Sequence, residues 1–326
     1  MARQDKNLTR VSGGSAGLGP HHRYLLMMVG FALIACSEGG PVMNRAVRHA
    51  QRRRTSLFRA ALAACAALLA VSSARAWPPE VFHGPDGVVG LLYQPGTGAP
   101  PSGAVLVVND ALGMDMRSHG YIDHLTAAGL LVLEVELGPN PPDGWPKPLP
   151  EEGEAADLVA RAAAALAGDP RVNLDRVGAL GFGIGARAVA LAPARADGRD
   201  PFAARVLLYP GCGSLAELVR APERAAAFSP VLLLHGDDDP ASQPADCEGL
   251  SAALGRTAPV RRISYRGATY AWDVPQWGEG EHSSQPWPGG QGTVPVRSWP
   301  ELAELTAAQA AAFLAGALAK APRYPG

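Results

Sequence analysis

Short, mainly apolar runs at residues 104–108, 130–137, 177–182, 205–209 and 231–235, with a last strand at 260–265, alternate with alanine-rich stretches of helical period, and no other feature limits the fold as much. A run that is apolar without alternation fits a strand buried on both faces, which is how parallel strands read. Strands separated by helices form crossovers, and crossovers build a mostly parallel sheet covered by helices on both sides. The helical stretches are 117–128, 151–167 with an acidic first turn that suits the helix dipole, 184–192 ended by Pro193, and 302–319. Two opening strands, 80–83 and 88–93, flank a Gly-Pro-Asp-Gly turn. The expectation is one α/β domain with an eight-stranded, mostly parallel sheet. Two Pro/Gly-rich segments, 138–150 and 274–298, read as surface loops, the second long enough to cover a site.

Residues 43–76 have the three parts of a secretory signal: a basic stretch ending at Arg59, an apolar run at 60–71, and Ala74-Arg75-Ala76 as a cleavage site. The apolar run falls short of the ~20 residues of a membrane span. Export to the periplasm or the medium is the expectation, with residues 77–326 as the mature domain. Residues 1–42 hold a second apolar run that ends in a lipobox-like Leu33-Ile34-Ala35-Cys36, and Cys65 follows a weaker one. Two export signals in series are redundant. Residues 1–42 therefore read as an extension upstream of a true start at Met43, the alternative being a lipid anchor at Cys36 or Cys65. The formal charge of −1 conceals an asymmetry: residues 77–326 carry 18 basic against 28 acidic side chains. Such a domain is a poor partner for nucleic acid or an anionic membrane surface.

The turn Gly181-Phe182-Gly183-Ile184-Gly185-Ala186 joins a strand to a helix. Its glycines satisfy the loose dinucleotide-binding form, which also requires an acidic residue at the end of the next strand for the ribose. That strand ends Leu208-Tyr209-Pro210-Gly211, so no nucleotide cofactor is expected. The same spacing fits the turn that presents a nucleophile above a sheet, with Gly181 and Gly185 as its flanks. The apex is Gly183, which supplies no oxygen or sulfur for attack.

From residue 80 to 320 the chain resembles the dienelactone hydrolase family of α/β hydrolases. The resemblance rests on VLVVNDALG (105–113), YIDHLTAAG (121–129), the turn itself, VLLYPGC (206–212), LLLHGDDDPASQPADC (232–247) and YRGATYAWD (265–273), in the family's order. It implies an α/β-hydrolase fold and ester or lactone chemistry. It also implies an oxyanion hole and pocket near Ala111, Leu112, Ile184 and His119, and an acid at Asp239. In the family a Cys or Ser stands at position 183 and a His at 270, where this chain has Gly183 and Tyr270. A triad that loses its nucleophile and base loses several orders of magnitude in rate. The expectation is a catalytically impaired homologue that keeps a small-molecule or partner-binding pocket. The competing reading is an ester or lactone hydrolase with a non-standard nucleophile or base, such as Asp239 activating water with His119 or His282.

Asp237, Asp238 and Asp239 in a row read as a charged loop, and no metal is expected. Cys212 and Cys247 follow strands that should be neighbours, and in an oxidising compartment they read as a disulfide. The other possibility for Cys212 is a displaced nucleophile.

Overall fold

The computed structural model describes residues 78–96, 100–137, 150–220, 229–275 and 283–320. They belong to one compact unit, Ser73–Gly326. The two leader segments, the 138–149 part of the first expected loop and His282 lie outside the described residues.

Eight strands form one sheet in the order β1-β2-β4-β3-β5-β6-β7-β8. They are β1 (Glu80–His83), β2 (Val89–Tyr93), β3 (Gly103–Val108), β4 (Leu130–Val135), β5 (Val177–Phe182), β6 (Ala204–Leu208), β7 (Val231–Gly236) and β8 (Val260–Tyr265). β1 pairs antiparallel with β2 and β2 with β4, while every pairing from β4 through β3 to β8 is parallel. Strands β3 to β7 are buried along their whole length, which is why they read as unbroken apolar runs.

Side-chain alternation divides the core in two. Leu106 and Val108 point to a face covered by α2 (Glu152–Ala167), α3 (Ile184–Leu191), α4 (Cys212–Arg220) and α5 (Pro244–Leu254). Val105 and Val107 point to the opposite face, covered by α1 (Arg117–Ala127) and α6 (Pro300–Lys320). Helix α6 is long and apolar enough to cross a membrane, but Leu302, Ala307, Ala310, Leu314 and Leu318 are buried in that core.

The second expected loop is not all loop. Within it β9 (Ser283–Pro286) and β10 (Thr293–Val296) form an antiparallel hairpin with Gln285, Val294 and Val296 buried, and Val296 bridges to Tyr270. Arg187 anchors the hairpin tip. Its guanidinium donates to Pro210 O, Gly211 O and Ser214 Oγ, pairs with Glu152, and leaves room only for a glycine at 289. Proline and glycine composition had marked this segment as irregular, and tertiary contacts made it a strap.

Cys212 and Cys247 are joined in a disulfide that ties the start of α4 to α5, with both residues buried. The closed loop spans 35 residues, which on the chain-entropy model is worth roughly 4 kcal/mol. Replacing both cysteines by alanine should therefore lower the urea-unfolding free energy by about that amount. A loss under about 1 kcal/mol would show that the unfolded chain is not constrained by the link.

Candidate functional site

The order of the sheet reverses direction beside β3, whose two neighbours are β4 and β5. In open α/β sheets the crevice at such a switch point, at the carboxyl ends of the strands, is where ligands bind. Register pairs Val108 with Gly181 and Phe182 with Leu208. The loop after β3 and the turn after β5 therefore meet at that edge.

The turn itself is sterically dictated. A Cβ at Gly181 would lie 2.5 Å from Ala186 N, and one at Gly185 would lie 2.4 Å from Val108 O. Both flanks admit only glycine if the helix is to start this close to the sheet. Gly183 at the apex has φ +50° and ψ −112°, a conformation that L side chains rarely adopt. Its amide donates to Leu208 O at 3.0 Å.

The space above Gly183 is filled. A Cβ there would stand 1.9 Å from Tyr270 Oη and 2.4 Å from Asp110 Oδ1. Asp110 leaves the end of β3 and is 2% exposed. Its Oδ1 accepts from Ala111 N at 2.8 Å and Ile184 N at 3.1 Å. Its Oδ2 accepts from Tyr270 Oη at 2.7 Å and Arg117 Nη1 at 3.0 Å. Of the four residues that the resemblance places at the oxyanion hole and pocket, Ala111 and Ile184 thus bring their amides to one point, and the chain's own carboxylate sits on them.

Arg117 and Tyr270 are held in one protonation state each. Burial opposes charge on Arg117, but Tyr209, Asp110 and Asp115 outweigh it and raise its pKa well above the usual value. Burial first, and the Asp110 charge second, raise the Tyr270 phenol well above the ordinary tyrosine range. Tyr270 is therefore a proton donor to Asp110 and cannot serve as a base near neutral pH.

A second carboxyl extends the network. Asp273 accepts from Tyr209 Oη at 2.6 Å and Tyr121 Oη at 2.9 Å, and Tyr121 also bonds Thr306. Burial pushes Asp273 up to about 6, against the pull of Arg117 and the two phenols. The rings of Tyr209, Tyr270 and Trp272 meet edge to face at 4.8–4.9 Å. Tyr209 and Ala271 have φ values of +39° and +47°, and no other described non-glycine residue has a positive φ. Strained backbone gathers at functional sites when surrounding contacts over-determine it.

Asp239 follows β7 and is wholly buried, beyond the expectation of a merely charged loop. Its Oδ1 accepts from Ala241 N at 2.9 Å, while Oδ2 has no hydrogen-bonding partner. Burial lifts its pKa to about 6, with Ala241 and Ser242 pulling the other way. His119, expected to line the pocket, is exposed on α1. His124 pairs with Glu304, and the buried His235 bonds Gly236 O and Arg262. Ala111 and Leu112 are half-buried and Ile184 buried. Two surface grooves, of about 530 and 650 Å³, lie beside α2 and beside β1–β2; neither is lined by Asp110, Gly183, Asp239 or Tyr270.

Sequence reasoning missed Asp110, Arg117, Tyr121, Tyr209 and Asp273 as members of the site. One signal was available: Asn109-Asp110 directly follows an apolar run, which places a carboxylate at the carboxyl edge of a central strand.

No family model and no curated protein matches the chain. Solved structures do. Est1E from Butyrivibrio proteoclasticus is similar at 14% identity over 75% of this chain and 100% of that one, with a TM-score of 0.52. A dienelactone hydrolase-like promiscuous phosphotriesterase from metagenomic libraries is 19% identical over 74% and 98%, TM-score 0.53. EstE1, a thermostable carboxylesterase cloned from a metagenomic library, is 15% identical over 77% and 92%, TM-score 0.52. These likenesses show the fold, which is that of the α/β hydrolases.

A carboxyl whose pKa is raised on folding binds its proton more tightly in the folded state, so its contribution to stability falls as pH rises from about 4 to about 6. Above that window an Asp239 raised from 3.8 to about 6 destabilises the fold by about 3 kcal/mol. Asp239→Asn should thus stabilise the protein near pH 8 and change little near pH 4, read by urea unfolding at both. An equal effect at the two pH values would show that the carboxyl is not desolvated as described.

Proposed function

We propose that this chain is an exported, dienelactone-hydrolase-like protein whose hydrolytic centre is closed and non-catalytic, and that it acts by binding a small molecule or a protein partner. The observation that carries this reading is Tyr270 Oη, 1.9 Å from where a Cβ at residue 183 would stand. A nucleophile has no room at the apex, the base position holds a phenol bonded to Asp110, and the two amide donors already have an anion. With Tyr270 and Asp110 filling the space directly above Gly183, a free ligand or partner would bind outside the turn. The Cys212–Cys247 disulfide is consistent with an oxidising compartment.

One observation favours the competing reading of an active hydrolase: Asp239 Oδ2 is an unpartnered carboxyl oxygen with a pKa near that of a general base. Its complete burial, with no histidine at 270, weighs against it.

The full chain should neither turn over p-nitrophenyl acetate above the buffer rate nor react with a fluorophosphonate probe. Turnover that disappears in Asp239→Asn would establish the competing reading. Gly183→Ser alone should destabilise the protein and stay inactive, because its Cβ meets Tyr270 Oη. Gly183→Ser with Tyr270→His should remain weak until Asp110→Ala is added, since Asp110 otherwise occupies the donors that stabilise an oxyanion. Fluorophosphonate labelling of the triple variant alone is the expected pattern.

A further inference from the structure

We propose that Ala111 N, Ile184 N, Arg117 Nη1 and Tyr270 Oη form a binding site for a small planar carboxylate, of which the Asp110 side chain is the resident, tethered ligand. The proposal rests on the reading that this centre is not catalytic, and it names the kind of group that fills it.

The donor set is what a free carboxylate requires. Two donors converge on each oxygen of Asp110, at 2.8 and 3.1 Å on Oδ1 and at 2.7 and 3.0 Å on Oδ2. They come from four places: the loop after β3, the start of α3, helix α1 and the segment after β8. One is a guanidinium 3% exposed, and one is a phenol held protonated. If the anion leaves, the two amides, the phenol and the buried guanidinium each lose a hydrogen-bond partner, so the site is built around a negative charge.

Shape restricts the ligand further. Asp110→Gly removes Cβ together with the carboxylate and leaves a cavity slightly larger than formate. Acetate would have to place its methyl group against the backbone where Cβ had been bonded. Chloride is a single sphere and cannot serve donors arranged around two separate oxygens. The order expected is formate, then acetate, with chloride giving only a general salt effect.

The experiment follows thermal unfolding of the full-length wild type, Asp110→Gly, Asp110→Ala and Asp110→Asn in formate, acetate or chloride at equal ionic strength, up to about 300 mM. Asp110→Gly should melt below wild type in chloride and recover steadily with the logarithm of formate concentration. Asp110→Ala should need more formate, because its methyl takes part of the space. Wild type and Asp110→Asn should respond no differently to formate and chloride. If Asp110→Gly is insoluble, refolding from urea should recover soluble protein in formate and not in chloride. Adding Arg117→Met to Asp110→Gly should abolish the formate response.

Three outcomes overturn the proposal: no formate-specific recovery by melting or refolding, the same recovery in wild type, or a response that survives loss of Arg117. Ester turnover is read separately. Hydrolysis by the wild type would refute the non-catalytic reading, whereas a missing formate effect with silent wild type refutes the carboxylate site alone.

Discussion

The Asp110 carboxylate is the group on which the centre of this molecule depends. It lies out of water at the end of β3, where an unpaired charge would be strongly destabilising, and it is tolerated because four donors satisfy both oxygens. The contacts reach in every direction from that point. Arg117 fixes α1 to the carboxyl edge and also bonds Asp115. Ile184 N fixes the start of α3. Tyr270 fixes the segment after β8, which in turn bridges to the hairpin through Val296. Removing one member of such a network leaves the others buried without partners, so its parts stand or fall together.

That coupling makes Gly183 and Tyr270 a single structural choice. Tyrosine carries its hydroxyl further from the backbone than histidine carries its ring nitrogens, and here the hydroxyl reaches the space above residue 183. Any Cβ at 183 collides with it, so Tyr270 in this rotamer requires Gly183. Glycine at the apex also relieves the strain that a serine or cysteine would bear at φ +50°. Strain persists at Tyr209 and Ala271, where the ring contacts and the Asp273 hydrogen bond hold it in place. Hydrogen bonding among Asp110, Tyr270, Arg117 and two backbone amides fills the space above the turn.

Asp239 shows the complementary effect. Tyr270 directs its proton to Asp110, and Asp239 Oδ2 is buried without a partner. A raised pKa follows from that desolvation, as it does for Asp273. Of the two buried carboxyls, Asp110 has donors on both oxygens and Asp239 has none on Oδ2.

The sequence alone determined the sheet, because burial on both faces removes the alternation that other strands show, and β3 to β7 carry that mark residue by residue. It determined the turn as well, since Gly181, Gly183 and Gly185 are each required by close approach or positive φ, and it pointed to the pairing of Cys212 with Cys247. It left His119 as a pocket residue, where a helical position alone cannot say which way a ring faces, and it read the hairpin strands as loop. Only the tertiary structure decided what occupies the centre. Tyr270 and Asp110 are 160 residues apart in the chain, and their contact exists because parallel pairing brings the ends of β3, β5 and β8 to one edge. Local pattern reports which groups a chain carries to such an edge; whether they meet, and which one fills the space, depends on distances that only packing sets.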